Sequence, residues 1–276
     1  MPDILQILSR YWKTIALITL FATAISYVLL LIQSKQYLSV ATALPASSIS
    51  ADKARIFNNN IEQLYSNFGN TNDLDRILGT TELDTLYKTV VKEHNLVDYY
   101  KTDKSTDPAL MAASELRKNA SIAKSGFGEL KIKVWDEDNK KAALLANSLL
   151  RNLESIHQQL QNKSNEIVLE NIKKDYETIK QQFQFDSLNA SGDNDALLTI
   201  RKNTQLEQLR QYEKLMAEYN LVLRTNPNIL LVVEHATPSI KTDRPKIFQT
   251  LLLVFFAAAA FSFLSILFLE SRRSAK

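Results

Sequence analysis

The sequence predicts a membrane-anchored α+β protein. Two terminal transmembrane helices flank an extracytoplasmic base domain of a small sheet plus helices, and a long coiled-coil helical hairpin extends from the base as an arm. Three observations carry this. Both ends of the 276-residue chain hold long uncharged apolar runs. Short strand-like segments adjoin those runs. Two extended stretches with helical apolar periodicity meet at a cluster of turn residues.

The first run, TIALITLFATAISYVLLLI, lies within an uncharged segment from Thr14 to Ser34. The second, Ile247 to Leu269, contains no Asp, Glu, Lys, Arg, Pro or Gly. At about 1.5 Å per residue, each helix crosses a hydrocarbon core of about 30 Å. Lipid offers no partner to a bare N–H or C=O, so an open segment crosses only as a helix. The remaining chain is too polar to enclose a helix apolar on every side. Tyr11, Trp12 and Tyr37 suit the rims of the first span. A cleaved signal peptide competes for this end, with Arg10 and Lys13 as its basic start and Ala41-Thr42-Ala43 as its cleavage site. The apolar run is longer than such peptides carry, and the Ala-x-Ala lies well beyond its end.

The charge distribution orients the spans. The net charge of +3 comes from Arg10 and Lys13 against Asp3, and from Arg272, Arg273 and Lys276 against Glu270. Residues 33–246 are therefore balanced. Short positive tails stay in the cytoplasm, so both termini are expected inside and residues 33–246 outside. A balanced exterior offers no basic face to nucleic acid. The absence of cysteine excludes disulfides and thiolate metal sites.

Between the spans, Tyr37 to Leu44 reads as a strand stopped by Pro45. Residues 46–125 read as several short helices, on Ile61, Leu64, Tyr65 and Phe68, then on Leu83, Leu86, Tyr87, Val90 and Val91. Gly69 and Gly79 are expected to end or separate helices, and Asp107-Pro108 to begin the next. Gly126-Phe127-Gly128 is a turn. Leu130, Ile132 and Val134 then alternate with Lys131 and Lys133 as a half-buried strand. Asp136, Glu137 and Asp138 supply capping carboxylates for a helix in which Leu145, Leu149, Leu153, Ile156 and Leu160 recur at near-heptad spacing. The pattern shifts near Ile167 to Leu169 and resumes through Ile172, Tyr176, Ile179 and Phe183. From Asn139 to Phe185 such a helix reaches about 70 Å, so it is expected to project.

Asn189 to Asp193 breaks the run, and Leu206, Leu209, Tyr212, Met216, Tyr219 and Leu223 return it as the second arm of a hairpin, closed by Asn226-Pro227-Asn228. Ile229 to Val233 is too short to span and reads as a fully buried strand, from which Glu234 to Pro238 leaves the sheet. Pairing this strand with Tyr37–Leu44 would hold the two spans side by side. The expected organisation is a tail over 1–13, a membrane helix over 14–34, base over 35–137, and arm over 138–226 with its turn near 189–193. A base strand and Pro-containing junction follow over 227–246, then a membrane helix over 247–269 and a tail over 270–276.

The chain resembles the polysaccharide co-polymerases, the Wzz-type chain-length determinants of bacteria. The resemblance lies in the two spans, the strand after the first, and LKIKVWDEDNKKAALLAN from Leu130 to Asn147. It continues in Ala236-Thr237-Pro238 with Pro245 ahead of the second span. Lys241 stands where the family's next proline falls, and Ala257 to Ala260 where its last span often carries glycine. The resemblance implies a non-enzymatic inner-membrane protein that assembles as a ring-like homo-oligomer. It implies a membrane polysaccharide polymerase, and a lipid-linked glycan, as partners, and control of how many repeat units enter an O-antigen or capsule-like surface glycan. A kinase-linked branch needs a P-loop and a Tyr-rich tail, which the sequence lacks.

The residues offer no catalytic, cofactor or metal site. His94, His157 and His235 share no i, i+4 face, and the carboxylates at 136–138 suit a helix start. The structural and oligomer candidates are Pro238 and Pro245 at the membrane junction, and Ala257 and Ala260, which permit close approach in lipid to the first span or a neighbouring subunit. Leu149, Leu153 and Ile156 on the arm complete the set. Two other functions fit the layout: a periplasmic linker subunit of a polysaccharide exporter, and a transmembrane sensor or adaptor that needs a cytoplasmic partner because its final tail is short.

Overall fold

The first apolar run folds as α1 (Ile4–Ile32) and passes directly into β1 (Gln36–Pro45). The computed structural model describes residues 4–46, 71–188 and 196–274. Ala41, Thr42 and Ala43 are buried within β1. The helix expected on Ile61, Leu64, Tyr65 and Phe68 falls outside the described residues.

Four short helices follow: α2 (Thr71–Thr81), α3 (Asp84–Glu93), α4 (Leu96–Tyr99) and α5 (Pro108–Lys118). Their apolar faces, with Leu74, Ile77, Leu86, Val90 and Leu116, are buried. Asp107 caps α5 by accepting from the Leu110 N–H at 3.0 Å, and Pro108 takes the first turn, where no donor is needed. Gly79 lies inside α2 rather than beyond it, and Leu83 precedes α3 with its side chain exposed.

A strand, β2 (Ala120–Lys124), occupies sequence expected to be helical. Its five residues carry one sizeable apolar group, Ile122, too little for a period to be read. It joins β3 (Leu130–Asp136) through the Gly126-Phe127-Gly128 turn, where Gly128 takes a φ of 78° that favours glycine. Leu130, Ile132 and Val134 are buried, as their alternation predicts.

The helix α6 (Asn139–Leu188) runs for 50 residues, about 75 Å. Asp138 Oδ1 accepts from Lys140 N at 2.8 Å and satisfies one of its first N–H groups, while Asp136 Oδ1 accepts from Asp138 N at 2.9 Å in the turn ahead of the helix. It is followed by α7 (Ala196–Thr225). The turn expected at 189–193 lies outside the described residues. Cross-helix bonds from Asn162 to Asn226, Tyr176 to Glu213 and Gln205 to Asp186 pair rising numbers with falling ones, so the helices run antiparallel. Leu169, Leu209 and Val222 are buried together with Asn165, Gln205 and Glu218. Such polar groups in an apolar seam fix register at some cost in stability. Val222, not the Leu223 of the expected stripe, is the more deeply buried. Asn226, with a φ of 40°, ends α7.

The last strands are β4 (Leu230–Glu234) and β5 (Thr242–Arg244), before the second apolar helix α8 (Ile247–Ser274). The sheet runs β2-β3-β1-β4, with β5 also on β1. Strand β4 pairs antiparallel with β1, Pro45 against Leu230 and Thr42 against Glu234, as the juxtaposition argument expects. Its full burial is overturned: Leu231 is 40% and Val233 54% exposed. Leu230 is buried while Leu231 and Val233 point to the uncovered face, as in an antiparallel sheet packed on one side only. Strand β5 adds an unforeseen pairing, Gln36 against Arg244 and Tyr37 against Thr242. Three polar residues give no periodic signal.

The chain forms two compact units. One comprises Met1–Ser39, Val134–Leu144 and Thr237–Lys276, the other Val40–Lys133 and Leu145–Ala236. In the first, α1 and α8 pack along each other while most of their apolar side chains stay exposed. Both are long and apolar enough to cross a membrane. In the second, α3, α4 and α5 pack together beside β2.

Candidate functional site

In the unit that holds α1 and α8, the ends of both apolar helices meet a small polar clip. The indole of Trp135, at the end of β3, donates from Nε1 to Asp243 Oδ2 at 2.8 Å. The Arg244 guanidinium lies over the same ring, 4.0 Å from its centroid. Adjacent residues of a regular strand point to opposite faces. Here the register shifts between Gln36 and Tyr37, so the β1–β5 ladder spans one extra residue and both Asp243 and Arg244 reach one indole. The segment before β5 is tied down as well. Ser39 Oγ donates to Thr237 O at 2.9 Å, and Asn139 Nδ2 to Ser239 O at 2.9 Å. Pro238 lies exposed between these ties, and Pro245, in a cis bond to Arg244, closes the clip just ahead of α8.

The spans touch through small residues. Thr19 on α1 and Ser262 on α8 are buried, and each hydroxyl returns its proton to its own helix, Thr19 to Ile15 O and Ser262 to Ala259 O. These hydroxyls therefore need no further partner in lipid. An open apolar groove of about 350 Å³ runs beside this contact, lined in part by Trp12, Thr19, Phe255 and Ala259. Ala257 and Ala260 are exposed.

In the other unit, α6 is rooted by Leu145, Leu149 and Leu153, each fully buried. Ile156 is half-buried, and Leu160, one turn on, is exposed. The Asn147 side chain makes a two-way amide clamp with the backbone of Ala236: Nδ2 donates to Ala236 O at 2.9 Å, and Ala236 N donates to Oδ1 at 2.8 Å. Two stretches singled out in the sequence, the one ending at Asn147 and the one beginning at Ala236, thus meet. His94 Nε2 lies 2.6 Å from Ser148 Oγ, and His157 Nε2 2.7 Å from Thr80 Oγ1, so both histidines tie α6 to the short helices. His235 is exposed. Asn152, with Arg151 and His94 close by, holds the Glu93 carboxyl below its ordinary range.

Glu154, on the same root, has its carboxyl pushed up by burial, with the Leu230 N–H opposing that shift, and its Oε1 is buried without a protein partner. A carboxyl raised in the folded state favours folding while it is protonated in both states. That advantage is lost as pH rises from the ordinary glutamate range through the folded pKa. Glu154→Gln is therefore expected to raise Tm at neutral pH and to leave it unchanged near pH 4, which melts at both values check.

Among the described residues no group of three or more His, Asp or Glu side chains gathers where a metal could sit. What the arrangement does is mechanical: it fixes the two chain segments entering the apolar helices to one another and anchors the base of a long hairpin. Sequence reasoning missed Asp243 and Arg244 as partners of Trp135, and Asn147 as the partner of the Ala236 backbone. The available signals were an Asn on an otherwise buried helical face and a Trp at a strand end beside the membrane.

No protein-family model and no curated relative matches the sequence. Among solved structures, the chain is similar to a full-length bacterial polysaccharide co-polymerase at 14% identity and TM-score 0.40, covering 99% of this chain and 98% of that one. It is similar to a fragment of WzzB, a polysaccharide co-polymerase from Salmonella Typhimurium, at 10% identity and TM-score 0.37, covering 76% of this chain and 100% of that one. A point mutant of the Shigella flexneri lipopolysaccharide O-antigen chain-length regulator gives 10% identity and TM-score 0.38, with the same coverage.

Proposed function

We propose that this chain sets the length of a bacterial surface polysaccharide, of O-antigen or capsule type, as a ring-like homo-oligomeric scaffold for the membrane polymerase. In this reading α1 and α8 cross the inner membrane, both tails are cytoplasmic, and residues 33–246 form a periplasmic base (35–137 and 227–246) with an arm (138–226). The observation that carries it is the clip at Trp135, Asp243 and Arg244. It ties the strand that follows one apolar helix to the segment that leads into the other. Ala257 and Ala260 on α8, and Leu160, Ile167 and Phe185 on the arm, are exposed and supply apolar surface for neighbouring copies.

The test is a gel of surface polysaccharide from cells with and without the gene, the polymerase kept intact. Loss of modal clustering with polymer still present is expected. Polymer retained inside the cell, with none at the surface, would instead mark an exporter subunit. An unchanged ladder would reject both and favour a sensor.

A further inference from the structure

The two chain segments that enter the apolar helices, residues 33–39 and 237–246, are positively charged although the region between the spans is balanced. Helix α1 ends at Ile32 and α8 begins at Ile247, so Lys35, Arg244 and Lys246 all lie within three residues of a helix end. The Gln36–Arg244 pairing brings both segments to one place. Lys241 adds a fourth cation, and Asp243, the sole acidic residue of residues 33–39 and 237–246, is engaged by the Trp135 indole. No ion pair involves Lys35, Arg244 or Lys246 among the described residues. Cations are disfavoured beside the external ends of membrane helices, so this concentration opposes the topology that the tails impose.

Arg244 is also held in a particular way. Its guanidinium rests on the face of Trp135 at 4.0 Å, and Trp135 is itself fixed by Asp243 and the end of β3. A stacked guanidinium keeps its five N–H groups in the plane of the fork, directed away from the ring, and that fork matches two oxygens of a phosphate. Lys35 and Lys246 are exposed beside it on long stems that reach the interface.

We propose that Arg244, oriented by Trp135, together with Lys35 and Lys246 binds the phosphate group of a lipid at the external face of the membrane. The inference rests on the external placement of residues 33–246 and not on chain-length control. Two sources share this chemistry, an anionic phospholipid headgroup and the diphosphate of a lipid-linked glycan.

The chain has two tryptophans, so Trp12→Phe leaves Trp135 as the sole reporter in the full-length protein. In zwitterionic micelles and phosphate-free buffer this chain is titrated with dihexanoylphosphatidylglycerol, farnesyl diphosphate, dihexanoylphosphatidylcholine and inorganic pyrophosphate. A saturable change in Trp135 emission is expected with the two anionic lipids and not with phosphatidylcholine. Adding Lys35→Gln and Lys246→Gln, both exposed positions, should weaken the apparent affinity about tenfold or more while leaving the lipid-free emission unchanged. Equal affinity for both anionic lipids supports the site and assigns it to bilayer headgroups. Preference for farnesyl diphosphate supports it and assigns it to a lipid-linked diphosphate. The proposal is overturned if no saturable change occurs, if the double variant responds equally, or if inorganic pyrophosphate binds as tightly as the lipids.

Discussion

A chain carrying Leu153→Asp is expected not to accumulate in folded form. Leu153 is fully buried in the root of α6. The substitution removes its packing, worth about 2–5 kcal/mol in cores of this kind, and adds a carboxylate that has no partner there. The sum is of the order of the whole stability of an ordinary domain. Leu149→Asp should behave alike, since Leu149 is equally buried. Ile156→Asp should cost less, about 2 kcal/mol by the same reasoning at a half-buried position. Leu160→Asp, at an exposed position, should leave the monomer's stability within about 0.5 kcal/mol of wild type. Protease resistance of the four variants in mild detergent orders them. An unchanged Leu153→Asp chain would show that the root of α6 contributes little to the fold.

Asn147→Ala is expected to lower stability by about 2–6 kcal/mol, as a fall in Tm with retained helical signal. The clamp satisfies both backbone groups of Ala236, a residue that is itself buried, and alanine leaves the N–H and the C=O without their partner. Each orphaned group costs about 1–3 kcal/mol. Asn147→Asp separates the two bonds, because a carboxylate still accepts from the Ala236 N–H but faces the Ala236 oxygen with no donor. Its Tm should be depressed at neutral pH. A wild-type Tm in Asn147→Ala would mean that the clamp is dispensable.

The legible parts of this chain were those with length and period. The apolar runs, the 130–136 alternation and the α6 stripe from Leu145 to Leu153 needed only local patterning, and the Asp107-Pro108 helix start needed only capping chemistry, whereas Leu160 of the same stripe is exposed. The misreadings concern placement within the sheet. Leu230 to Glu234 is apolar enough to suggest burial on both faces, yet what covers each face of the sheet is set by tertiary packing, which local sequence does not encode. Ala120–Lys124 and Thr242–Arg244 are strands because β3 and β1 offer ladders to them, not because of their own composition. The junction was legible as a pair of prolines but not as a clip. Asp243 and Arg244 meet Trp135 across 108 residues, through a shift in register that no spacing rule anticipates.

The claim on which all else depends is that residues 33–246 lie outside the membrane between two crossing helices. With no cysteine in the sequence, single substitutions give a clean readout. Phe127→Cys, in the turn between β2 and β3, and Ile240→Cys, ahead of β5, occupy positions 90% and 94% exposed. Both should react with a membrane-impermeant maleimide in spheroplasts. Ser9→Cys and Lys276→Cys in the tails should react only after lysis. Tails labelled in intact spheroplasts, with Phe127→Cys and Ile240→Cys protected until lysis, would contradict the account.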